Sequence, residues 1–181
     1  VAALVAARPR EGGLLLKLGD NKIGEPGARA LCAAAVDRLR ALFLDNNHLQ
    51  NDAARHVAKL LRADARLEHL CLDKNAVGDD GVREIAQAVR ANAASRLAQL
   101  ELNANLFAKK GVHALRELVS SEASTLERVT ADGRLGDFEA IVVGATHAAA
   151  VAAHGDGRNL SADALEAPSR KQRKVSRKTG I

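Results

Sequence analysis

Leu67-Glu-His-Leu70-Cys-Leu72-Asp-Lys-Asn75-Ala-Val77 reads L-x-x-L-x-L-x-x-N-x-V, and the chain repeats this phrase. It stands upstream as Leu39-Arg-Ala-Leu42-Phe-Leu44-Asp-Asn-Asn47-His-Leu49 and downstream as Leu97-Ala-Gln-Leu100-Glu-Leu102-Asn-Ala-Asn105-Leu-Phe107. A further copy, Gly13-Leu-Leu-Leu16-Lys-Leu18-Gly-Asp-Asn21-Lys-Ile23, lacks only the leading leucine. The four marker asparagines are 26, 28 and 30 residues apart. A period of this size belongs to stacked repeats, in which no unit can bury its apolar face alone.

A second landmark keeps the same register. Six residues after each asparagine comes a small residue (Gly27, Ala53, Gly81, Gly111), and four further on an apolar one (Leu31, Val57, Ile85, Leu115). Apolar residues then recur at helical spacing, so each unit reads as a short strand, a turn marked by Asn, and a helix of about three turns. In L-x-L the two leucines point to one side of the strand and the middle residue to the other. Asparagine suits the turn because it tolerates unusual backbone angles and can both donate and accept. The small residue lets the helix start pack close to its neighbour.

These phrases resemble leucine-rich repeats of the ribonuclease-inhibitor-like subclass, and the resemblance covers roughly residues 1–136. It implies an α/β horseshoe, a solenoid with a parallel β-sheet on the concave face and helices on the convex face. Within 1–136 we expect a partial unit, four clear units and a decayed fifth. The partial unit is Val1-Ala-Ala-Leu-Val-Ala-Ala, which reads as the second half of a repeat helix. Its strand is expected further upstream, so the chain is expected to be a segment of a larger protein. The fifth unit starts at Leu126-Glu-Arg-Val129-Thr-Ala131, with Arg134 in the asparagine slot. Asp137 is expected to open a C-terminal capping helix over 137–154, and 155–181 to be a disordered basic tail.

Composition sharpens this division. The chain has three Phe and no Tyr, Trp or Met, so its core is built from Leu, Val, Ile and Ala. Residues 155–181 hold seven Lys/Arg against three Asp/Glu, which accounts for +4 of the net +5. The repeat body is therefore close to neutral. No run of 18 apolar residues supports a membrane span. Cys32 and Cys71 lack metal-site or C-x-x-C spacing, and two free thiols fit a reducing compartment. We therefore expect a cytoplasmic protein, with the tail as a candidate nuclear address.

The resemblance implies a binding site on the concave face. Lys17, Phe43, Cys71, Glu101 and Thr130 hold the outward strand positions, followed by a row of Gly19, Asp45, Asp73, Asn103 and Asp132. The partner-binding residues expected here are Phe43, Asp45, Cys71, Asp73, Glu101 and Asn103. They would form a mildly acidic groove around an apolar spot, suited to the basic surface of another protein. The plainer reading is that any repeat needs polar residues at these positions and that Asp favours turns.

Other signals carry less. Asp73 to Glu84 places Asp, Asn, Gly and Glu at positions 1, 3, 6 and 12 of a calcium loop. However, Val77 fills a ligand slot there and the repeat register already explains Asn75, Val77 and Gly81. The six histidines fall at different repeat positions and form no ligand pair. No phosphate loop or nucleophile–base motif is present, so no catalytic residue, metal or cofactor is expected. Arg170-Lys-Gln-Arg-Lys-Val-Ser-Arg-Lys178 offers at most weak nucleic-acid contact, since no aromatic residue accompanies it. The reading is a non-catalytic protein-binding module. The alternative, by resemblance to GTPase-activating members of the same family, is a regulator of a small GTPase.

Overall fold

The computed structural model describes residues 13–35, 37–121, 125–132 and, as backbone only, 141–142. Strands and helices alternate: β1 (Leu14–Lys17), α1 (Gly24–Ala35), β2 (Leu39–Phe43), α2 (Gln50–Ala63) and β3 (His69–Cys71). They continue as α3 (Asp79–Ala91), β4 (Gln99–Leu102), α4 (Lys109–Val119), β5 (Arg128–Ala131) and β6 (Ile141–Val142). The strands form one sheet in chain order. The first five run parallel, and β6 pairs antiparallel with β5. The protein is thus an α/β structure with a five-stranded parallel sheet and four helices among the described residues.

The register follows the repeated phrase. Leu16, Leu42, Leu70, Leu100 and Val129 are partners across consecutive strands, and all five are buried. The second leucines, Leu44, Leu72 and Leu102, are fully buried, as are Leu49, Val77 and Phe107 at the end of each phrase. They share one core with the inward faces of the helices, including Leu31, Val57, Ile85 and Leu115. Each buried leucine contributes about 1.5–3 kcal/mol. Consecutive helices also pack against one another, α1 on α2, α2 on α3 and α3 on α4. Among the described residues no helix covers the opposite face of the sheet.

The turns show how units lock together. Residues with left-handed backbone include Asp20, Asn46, Lys74 and Ala104, each just before a marker asparagine, and His48 and Ala76, just after one; Asp37 and Gln50 are the others apart from glycine among the described residues. The marker asparagines themselves are not among them. Their role is the hydrogen bonding of their amides; unusual backbone angles fall to their neighbours. The starts of α3 and α4 are capped by the preceding unit. Asn51 Oδ1 accepts from the backbone N–H of Gly78 at 2.8 Å and of Gly81 at 3.2 Å. Asp79 Oδ1 does the same for Ala108 and Gly111, at 2.8 and 2.6 Å. Orphan amides at a helix start must find an acceptor, and here it comes from the layer below.

The small residue at the start of each helix has a measurable reason. A Cβ on Gly81 would stand 2.6 Å from Val77 Cγ1, 2.8 Å from Asn51 Oδ1 and 3.0 Å from Ala54 Cβ. The contact is therefore both within the unit and between units.

One expectation needs correction. The helix foreseen over 137–154 does not hold at Ile141 and Val142, which form strand β6 on the edge of β5. β5 offers a row of unpaired backbone groups, and β-branched residues suit a strand better than a helix. The rest of that segment, the Val1–Ala7 partial unit, the Arg134 slot and the 155–181 tail lie outside the described residues. No described helix is long and apolar enough to cross a membrane.

Candidate functional site

The open face of the sheet carries the site, because the alternation of L-x-L turns every middle residue away from the core. Lys17, Phe43, Cys71, Glu101 and Thr130 are in register across β1 to β5. The parallel hydrogen bonding continues past the strands: Leu44 N–H donates to Cys71, Asn46 N–H to Asp73 and Lys74 N–H to Asn103, each at 2.9 Å. This extension aligns Asp45, Asp73 and Asn103 as a second row. All six residues singled out from the sequence therefore fall in one patch, two rows deep on three adjacent units.

Within the patch the side chains are tied together. The rings of Phe43 and His69 meet edge to face with centroids 4.7 Å apart, and Lys17 Nζ lies 5.5 Å from the Phe43 centroid. His69 Nε2 is 2.9 Å from Glu101 Oε1. Asn103 holds Asp73 by both oxygens, its backbone N–H donating to Oδ1 at 2.7 Å and its Nδ2 to Oδ2 at 3.1 Å. The same Nδ2 donates to Thr130 Oγ1 at 3.0 Å. The result is two runs of contacts across the strands, Lys17–Phe43–His69–Glu101 and Asp73–Asn103–Thr130.

Cys71 departs from expectation in one respect. It points to the open face, yet it is only 5% exposed. Its side chain is short, and larger neighbours flank it: Phe43 and Glu101 in register, His69 and Asp73 along its own strand. The apolar part of an exposed surface there is Phe43, with Cys71 as its floor.

The electrostatics are one-sided. Burial pushes the Cys71 thiol well up, and the nearby Asp73 and Glu101 carboxylates push it further. Asp73 is also raised, mainly by burial, then by the negative charges of Glu101 and Asp45, with the Asn103 hydrogen bonds acting against this. Among the described residues no Lys or Arg forms an ion pair with Asp45, Asp73 or Glu101. Cys71, Asp73 and Glu101 each place a ligand-capable atom within 4.8 Å of the others, a set that could hold a metal ion.

His69 completes the site, although it was outside the six. Its place was legible in the two-residue alternation back from Cys71; its contact with Glu101, 32 positions away, was not. Beside His69 a depression of about 560 Å³ runs over the strand starts, lined by Leu15, Arg40, Glu68 and Gln99 among others. The helical side is different in character. A groove of about 410 Å³ between α3 and α4 is rimmed by Arg83, Arg90, Lys109, Lys110 and His113, with Glu117 as its acidic member.

In comparisons with known proteins, the chain matches no protein-family model and none of the curated proteins. The functional reading therefore rests on the molecule's own geometry.

Proposed function

We propose that this chain is a leucine-rich-repeat array of the ribonuclease-inhibitor-like kind, and that it works as a binding module for another protein. In such an array the open sheet face lines the concave side of a horseshoe. The observation that carries this reading is the pair of aligned rows on that face. Phe43, Cys71 and Glu101 stand in register, and Asp45, Asp73 and Asn103 stand beside them. Phe43 is half-buried with Lys17 on one side, and on the other lie Asp45, Asp73 and Glu101, which have no Lys or Arg ion-pair partner among the described residues. These carboxylates suit the basic surface of a partner.

The chemistry favours recognition over catalysis. A thiol pushed upward by burial and two carboxylates is a poor nucleophile at neutral pH. Both cysteines are free and buried, which supports an intracellular setting.

Photo-crosslinking from position 43 identifies the partner, and the purified partner is then titrated against variants. Phe43→Ala, Asp45→Ala and Glu101→Ala should each weaken binding by about tenfold or more, the loss of one interface anchor. Lys59→Ala, on the exposed side of α2, should leave affinity unchanged. Equal affinity for the open-face variants and the parent would sink the model.

A further inference from the structure

The open face concentrates three unlike donor atoms at one point. Cys71 and Asp73 lie two residues apart along one chain and turn to the same side, and Glu101 faces Cys71 from the neighbouring strand. Their Sγ and carboxylate oxygens all lie within 4.8 Å of one another. We propose that Cys71, Asp73 and Glu101 form a binding site for a divalent transition metal ion of the zinc class, with a fourth position open to water or to a partner's side chain.

Four features support this. First, the spacing is close to what a metal demands. Zinc takes sulfur at about 2.3 Å and carboxylate oxygen at about 2.0–2.2 Å, so tetrahedral ligands stand about 3.3–3.8 Å apart. The present separations, at most 4.8 Å, exceed this by about 1 Å, a gap for side-chain rotation to close. Second, each carboxylate is oriented by a donor from outside the trio. His69 Nε2 holds Glu101 at 2.9 Å, and Asn103 holds Asp73 through its backbone N–H and its Nδ2. Such outer partners fix the direction in which a ligand oxygen points.

Third, Cys71 is 5% exposed although it faces the open side of the sheet, and its Sγ is enclosed beside the Asp73 and Glu101 carboxylates. Fourth, the charge is not balanced. Two carboxylates stand in a half-buried place, and among the described residues no Lys or Arg pairs with either of them. A divalent ion neutralises both and displaces the thiol proton. The bond formed is metal–sulfur, the bond broken is S–H, and one proton goes to solvent. The soft sulfur selects zinc or cobalt over magnesium or calcium, which prefer oxygen ligands throughout.

This inference rests on the placement of the three side chains and stands apart from partner binding through the same face. The test is titration of the reduced, metal-free full chain with Co²⁺. The expected result is a sulfur-to-cobalt charge-transfer band that saturates at one equivalent and is abolished by Zn²⁺. Millimolar Mg²⁺ or Ca²⁺ should not displace the cobalt. Cys71→Ser should remove the band, and Cys32→Ser should keep it. Asp73→Asn and Glu101→Gln should each weaken cobalt binding at least tenfold, with unchanged far-ultraviolet circular dichroism confirming the fold. Absence of the band in the parent, or its persistence in Cys71→Ser, overturns the proposal. Partner affinity measured with and without a chelator separates the two readings. Partner binding without any cobalt band sinks the metal site alone, and a band without partner binding sinks the interaction module alone.

Discussion

Asn75 reaches out of its own turn into the turn before it, where its Oδ1 accepts the backbone N–H of Asn47 at 2.8 Å. Its Nδ2 donates to the Leu44 carbonyl at 2.7 Å and to the Asp73 carbonyl at 3.0 Å. Asn105 repeats the arrangement one layer on, accepting from Asn75 N–H at 3.2 Å and Val77 N–H at 2.9 Å. A column of fully or almost fully buried amides thus joins successive turns, and each side chain satisfies backbone groups of two layers.

Asn75→Ala should therefore be among the most damaging single changes. It takes the acceptor from the buried N–H groups of Asn47 and Leu49, at about 1–3 kcal/mol each, while the Leu44 carbonyl keeps only Asn47 Nδ2 as a side-chain donor. We expect a loss of about 3 kcal/mol or more in urea unfolding. Among the described residues the Asn21 side chain bonds only to the carbonyls of Leu18 and Gly19, and it is exposed. Asn21→Ala should cost below about 1 kcal/mol. Equal losses at the two positions would show that the column does not carry stability.

Gly81→Ala tests close approach against helix propensity. In an open helix the exchange would stabilise by about 1 kcal/mol. Here the new methyl meets Val77, Asn51 and Ala54 at 2.6 to 3.0 Å. Two of these belong to the preceding layer, and Asn51 Oδ1 is also the acceptor for the Gly81 N–H. Overpacking should win, giving a loss of about 1–3 kcal/mol and a lower thermal midpoint. A raised midpoint would mean that the layers can separate freely.

Asp64, at the end of α2, joins three chain segments. Only 3% exposed, it accepts the backbone N–H groups of Asp37, Arg66 and Leu67, each at 2.7 Å. Asp64→Ala strands three buried or half-buried donors and should cost about 2–4 kcal/mol. Asp64→Asn keeps one acceptor oxygen and should lose less. Urea denaturation of both variants at pH 7 gives the comparison, and an equal loss would point to the charge rather than the acceptor count.

The contrast between Asn75 and Asp64 shows what a single chain discloses. Leu70, Leu72, Asn75 and Val77 recur at fixed spacing, and a period forces residues of one slot into one structural environment. Strand register and the two open-face rows follow directly from that. Asp64 has no counterpart in the repeated phrase, and its partner Asp37 is 27 positions away. The same holds for His69 against Glu101. The covering of Cys71 depends on the bulk of neighbours in three strands, a quantity that alternation does not carry. At Ile141–Val142 local helical pattern and the open edge of β5 compete, and pairing along the edge prevails.

Cys32 supplies a dependence on pH. It lies in α1, 4% exposed, and burial pushes its thiol up from 9.0 to about 12. The unfolded chain loses this proton near pH 9, whereas the folded protein keeps it to about pH 12. Between those values the unfolded state binds fewer protons, so stability falls as pH rises; below pH 9 the contribution is fully present. One thiol in this position removes about 1.4 kcal/mol between pH 8 and pH 10. Cys32→Ala should cost about 1–2 kcal/mol at pH 8 through lost packing. Its stability should then decline less steeply than that of the parent, so that the two nearly converge at pH 10. Urea unfolding of both proteins across this range provides the measurement, and parallel curves would show that Cys32 does not drive the alkaline loss.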